Sequence, residues 1–92
     1  MIFEIKDKTS RVIRLTDERW KHILHEHLQA IDIETVIHTL QSPIKIKPSF
    51  YDVSVGWYYS YSKNKNKYLL VSVRYLNGTG FVITAYFVRQ IK

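Results

Sequence analysis

Asn77-Gly78-Thr79-Gly80 stands between two runs, Lys67 to Leu76 and Phe81 to Val88, that are rich in β-branched and aromatic residues. Such side chains suit a pleated surface, and an Asn-Gly pair between two such runs is a strong local signal for a hairpin. A chain of 92 residues has room for one small globular domain around this hairpin. Further extended runs precede it: Ile44 to Lys47 is short, and the aromatic Val55 to Tyr61 is joined to Lys67 through the polar turn Lys63-Asn64-Lys65-Asn66.

Upstream of Pro43 the pattern changes. Ile2, Phe3 and Ile5 predict a short strand, Asp7 to Ser10 a turn, and Arg11 to Leu15 a second extended piece. Thr16 is placed to cap a helix over Asp17 to Leu28, with Asp17 and Glu18 where the helix dipole favours carboxylates. Asp32 caps a second helix, with Ile31 and Val36 as a hydrophobic staple and Ile33, Val36, Ile37 and Leu40 on one stripe. The ring of Pro43 disfavours helical geometry at Ser42 and stops it. Links between successive strands are too short for parallel crossovers. The expected fold is a single α+β domain over residues 1–92, with two N-terminal helices packed on a four- to five-stranded antiparallel sheet.

Composition narrows the function. Hydrophobic residues make up 46% of the chain, 13 of them aromatic, which excludes disorder. Without cysteine there is no disulfide, no thiolate metal site, no thiol nucleophile and no need of an oxidising compartment. The longest uncharged stretch, Tyr75 to Val88, falls short of the roughly 20 apolar residues of a membrane helix, and Phe3, Glu4 and Lys6 do not read as a signal peptide. A cytoplasmic protein with no membrane contact is expected. The net charge of +6 is unevenly spread: positions 1–46 carry seven residues of each sign, whereas positions 47–92 carry seven basic residues and Asp52 alone. An anionic partner is drawn to the second half.

Three of the four histidines lie in Trp20-Lys21-His22-Ile23-Leu24-His25-Glu26-His27. His22 and His25 have the spacing of a helical metal pair, but neither Cys nor a second His cluster completes a site, so no metal or other cofactor is expected. On a helical wheel Trp20, Ile23, Leu24 and Leu28 share a face that includes His27, with His22 opposite. His27 is then either a histidine hydrogen-bonded at the core or an acid-base group over the sheet. Strict alternation places Leu70, Ser72 and Arg74 on one face of their strand, and in the last strand sets Val82, Thr84, Tyr86 and Val88 against Phe81, Ile83, Ala85 and Phe87. If the two strands pair, Arg74, Thr84 and Tyr86 share a face, either as a phosphate-binding set or as ordinary strand residues with a solvated charge. Trp57, Tyr58, Tyr59 and Tyr61 followed by Lys63, Lys65 and Lys67 interleave rings and cations as single-stranded nucleic-acid binders do, or simply form an aromatic hairpin with a charged turn.

Several of these segments together resemble a family. Arg19-Trp20-Lys21-His22-Ile23 with His27, Thr39-Leu40-Gln41-Ser42-Pro43, the strand Tyr68 to Arg74, and Ile83-Thr84-Ala85-Tyr86 are similar to the phage-associated barnase, EndoU, colicin and RelE-like nucleases, over roughly Leu15 to Tyr86. The resemblance implies a metal-independent, toxin-type endoribonuclease that cleaves RNA by attack of a 2′-hydroxyl on the adjacent phosphate. It implies His27 and His22 as the histidine pair, Arg74 as the stabiliser of phosphorane charge, and Thr84 and Tyr86 as phosphate-orienting hydroxyls. Lys63, Lys65, Lys67, Tyr59 and Arg89 are the expected RNA contacts. RNA is the expected partner, with an acidic antitoxin or immunity protein as inhibitor. The other reading is a non-catalytic nucleic-acid or protein-binding module of the same fold.

Overall fold

The computed structural model describes residues 1–26 and 31–91. β1 (Phe3–Lys6) and β2 (Val12–Leu15) form a hairpin, then come α1 (Asp17–Glu26) and α2 (Ile33–Gln41), then β3 (Lys45–Pro48), β4 (Val55–Ser62), β5 (Lys67–Leu76) and β6 (Thr79–Val88). Local chemistry sets these boundaries. Thr16 Oγ1 accepts from the N–H of Arg19 at 3.1 Å, and Asp32 Oδ1 from the N–H of Thr35 at 2.7 Å, so each helix begins on a side-chain cap. The β5–β6 turn is only Asn77-Gly78, both at positive φ (48° and 82°), as a two-residue turn between twisted strands requires. β6 therefore starts at Thr79, two residues before the predicted Phe81.

The sheet differs from the expected one in size and sense. It has six strands in the order β1-β2-β6-β5-β4-β3, and β2 runs parallel to β6, with Val12, Ile13 and Arg14 opposite Thr79, Gly80 and Phe81. Two strands precede the helices, so the helices follow a hairpin that belongs to the same sheet. Short links exclude parallel pairing only between successive strands, whereas both helices and β3 to β5 form the crossover between β2 and β6. Gly80 makes the junction possible: a Cβ there would lie 2.8 Å from the carbonyl oxygen of Arg74 and 3.0 Å from Cδ1 of Ile13.

Both helices pack on one face. Ile23 of α1 and Val36 and Leu40 of α2 meet Ile13, Leu15, Tyr58, Leu69, Val71, Val73, Val82, Ala85 and Phe87 in the core. The expected α1 stripe is narrower than the wheel suggested: Ile23 is buried and Trp20 packs against the core, but Leu24 is 44% exposed. A β-bulge between Ser72 and Val73 pairs Val73 with Val82 and Ser72 with Thr84, leaving Ile83 as the extra residue. The bulge puts Val82 in the core and Phe81 on the other face, against strict alternation.

A buried polar knot ties the N-terminal hairpin to the sheet. Asp7 Oδ1 accepts from the N–H groups of Thr9 and Arg11, both at 2.9 Å, and its Oδ2 accepts from the hydroxyl of Tyr58. Tyr75 donates to Tyr58 at 2.8 Å, and the Arg11 guanidinium lies 4.2 Å over the Tyr75 ring. Burial pushes the Tyr58 phenol far above its ordinary pKa, so it remains a donor.

Candidate nucleic-acid interface

The face of the sheet turned away from α1 and α2 gathers the chemistry. Its register forms cross-strand rows: Tyr61, Tyr68 and Val88; Lys45, Tyr59, Leu70 and Tyr86; Lys47, Trp57, Ser72 and Thr84; and Val55, Arg74, Phe81, Arg14 and Glu4. Residues in a row are close neighbours across strands, and successive rows stand roughly 7 Å apart along a strand. Val55, Tyr59, Leu70 and Ser72 are buried on this face, outside the helix-covered core. Tyr61 and Tyr68 meet edge to face at 5.2 Å, and the Tyr61 hydroxyl donates to Asn66.

The loop from Ser49 to Ser54 folds against one end of the face. Phe50 meets Trp57 edge-on at 5.3 Å, with the Lys47 ammonium 5.6 Å over the Phe50 ring. Phe50, Tyr51 and Val53 are 65%, 91% and 87% exposed. Asp52 Oδ1 accepts from the N–H and hydroxyl of Ser54 at 2.9 and 2.7 Å, and its Oδ2 receives Arg74 Nη1 at 3.1 Å. The hydroxyl and N–H of Ser54, and then the Arg74 guanidinium, hold the Asp52 carboxyl below its usual range. Arg14 is matched in the same way by Glu4, at 2.6 Å.

Of the residues singled out in the sequence, Arg74, Thr84 and Tyr86 share this face. His22 does not: it projects from α1 on the other side of the sheet, 58% exposed and 2.7 Å from Glu26 Oε1. His27 lies outside the described residues. The expected RNA-contact set is split. Tyr59 is fully buried within the face and offers no ring for stacking. Lys63 lies on the exposed β4–β5 turn, Lys65 turns back over the Phe87 ring at 5.3 Å on the helix side, Lys67 lies on the helix side of β5 with the core residues Leu69 and Val71, and Arg89 is exposed beyond β6. Lys45, Lys47, Tyr68 and the Asp52 loop also reach this face, beyond the residues expected there. Period-two alternation on β3 and β4 signals the lysines, and the isolation of Asp52 as the one acid after position 46 signals the loop.

Two clefts lie away from this face. One, of about 290 Å³, is lined by Thr16, Glu18, Arg19 and His22. The other, of about 270 Å³, lies between the start of α2 and the β4–β5 turn, beside Asp32, Lys65 and Phe87. Among the described residues no group of three His, Cys, Asp or Glu side chains is placed to hold a metal, and no helix is long and apolar enough to cross a membrane. Compared with protein-family models, with curated proteins and with solved structures, the chain gives no significant match in any of the three.

Proposed function

We propose that the protein binds single-stranded nucleic acid, RNA in the first place, across the helix-free face of its sheet. The observation that supports this reading is the row pattern: the cations of Lys45, Lys47 and Arg74 stand among the rings of Trp57, Tyr61, Tyr68 and Tyr86 and the hydroxyls of Ser72 and Thr84. Unpaired bases offer π faces to such rings, while cations follow the phosphate backbone, and neither interaction needs a pocket. Cleavage by the 2′-hydroxyl route further requires a proton acceptor beside the phosphate. His22 is on the far side of the sheet, so the face is read as a binding surface first.

The test is fluorescence anisotropy with a labelled oligouridylate over a salt series in EDTA. Affinity is expected to fall with salt, with a log–log slope of about −0.7 for each phosphate neutralised, and each of Trp57→Ala and Tyr61→Ala is expected to weaken binding by about 1 to 3 kcal/mol. A duplex of matched length should bind less tightly than the single strand. Affinity indifferent to these substitutions would sink the reading. Gel analysis of the same samples reports cleavage, and cleavage lost in His27→Ala would restore the endoribonuclease reading.

A further inference from the structure

Arg74 is only partly engaged. Its Nη1 donates to Asp52 Oδ2 and to Ser54 Oγ, both at 3.1 Å, across side chains that are 40% exposed for Arg74 and 43% for Asp52. Among the described residues its Nε and Nη2 have no hydrogen-bond partner. The contact to Asp52 uses one nitrogen and is longer than the usual charge-assisted bond of about 2.7 to 2.9 Å, whereas the fork of a guanidinium can hold a phosphate through two parallel bonds.

Asp52 is held in place by its own loop. Its Oδ1 takes the N–H and hydroxyl of Ser54, and its backbone carbonyl accepts from the N–H of Val55 at 3.0 Å. The carboxylate would therefore stay near Arg74 without attraction from it. It is also the one acidic residue in positions 47–92, and it stands beside the basic residue that shares a face with Ser72 and Thr84.

We propose that Arg74 is a phosphate-binding site and that Asp52 is its internal competitor. The Asp52 carboxylate occupies Nη1 and neutralises part of the guanidinium charge, and a phosphodiester docks on the open Nε/Nη2 edge against the opposing charge of Asp52. Such an arrangement disfavours small, weakly charged anions and admits a polyanion whose neighbouring contacts offset the repulsion from Asp52. That the phosphate belongs to nucleic acid rests on the function proposed above; the Arg74 site and its competitor do not.

The decisive variant is Asp52→Asn, which keeps an oxygen for the Ser54 N–H and removes only the charge. It is compared with Glu34→Gln, a distant exposed acid on α2, and with Arg74→Gln alone and combined with Asp52→Asn. Asp52→Asn is expected to tighten oligouridylate binding about fivefold, Glu34→Gln less than twofold, and the gain should vanish in the Arg74→Gln background. Equal gains from both acids, or a gain that survives Arg74→Gln, overturn the proposal. A second readout is the Nε–Hε NMR signal of Arg74 during titration with inorganic phosphate and, separately, with oligouridylate. A response to inorganic phosphate at lower concentration in Asp52→Asn than in wild type supports the site, as does a response to oligouridylate alone, which assigns the phosphate to the polymer. If no variant binds oligouridylate, the nucleic-acid reading fails and the inorganic phosphate titration still decides the site. Silence of the Arg74 signal to both ligands overturns it.

Discussion

Asp7 shows how far a single side chain can reach. It closes its own turn through Thr9 and Arg11, and it accepts from Tyr58, 51 positions away. Its turn chemistry was legible in the sequence, because Asp-Lys-Thr-Ser between two short apolar runs predicts an Asx-type turn. The Tyr58 bond was not, since nothing local tells an aromatic strand residue that a carboxylate waits on another hairpin. Asp7→Ala leaves two N–H groups and a buried phenol without acceptors and is expected to lower stability by about 3 kcal/mol; Tyr58→Phe is expected to lower it by about 1 kcal/mol. Urea denaturation of the three proteins checks both values. Asp52 resembles Asp7 in accepting from the residue two positions on, but it stands partly exposed at the edge of the candidate site beside Arg74, instead of in the core.

Among the elements, the helix caps and the β5–β6 hairpin followed from short-range patterns, because Thr16, Asp32 and Asn77-Gly78 act within a few residues of themselves. The bulge at Ile83 and the parallel pairing of β2 with β6 did not, since both depend on which distant strand lies alongside. The candidate site divides in the same way. Arg74, Thr84 and Tyr86 were grouped by the hairpin alone, while Lys45, Lys47 and the Asp52 loop joined them only through β3 and β4. The α2 cap carries a pH signature. The hydroxyl of Thr35, and then its N–H, hold the Asp32 carboxyl below its ordinary value. A lowered folded-state pKa means that this contribution is complete above the unfolded value, near pH 4, and is lost as pH falls through the folded value. Asn also caps helices but does not titrate there. The difference in melting temperature between wild type and Asp32→Asn should therefore be flat above about pH 4 and change steadily below it; a difference independent of pH throughout would contradict the cap's assigned role.

At the scale of the whole molecule, the two sides of the sheet have different tasks. One is sealed by α1 and α2, and the other carries cations and rings on a surface that has no helix over it among the described residues. The excess positive charge of the second half is thus divided: Lys47 and Arg74 serve the open face, while Lys65 leans over Phe87 on the helix side. Replacing Lys45 and Lys47 together by Gln is expected to make the salt slope of oligouridylate binding shallower by about 1.4, and replacing Lys63 and Lys65 to change it much less. Anisotropy titrations of the two double variants distinguish them. The parallel pairing of β2 with β6 also dictates an order of assembly. β6 lies between β2 and β5 yet is synthesised after every other strand of the sheet. Until it emerges, the β1–β2 hairpin and the β3–β5 meander have no common partner and each shows an unpaired backbone edge. The pairing that joins them is also the most distant in sequence, the kind of contact whose loop-closure cost slows folding. A nascent chain halted in the β5–β6 turn would thus hold most of its apolar residues and none of the strand that lets them close into one core, and at that stage it is most exposed to association with other chains.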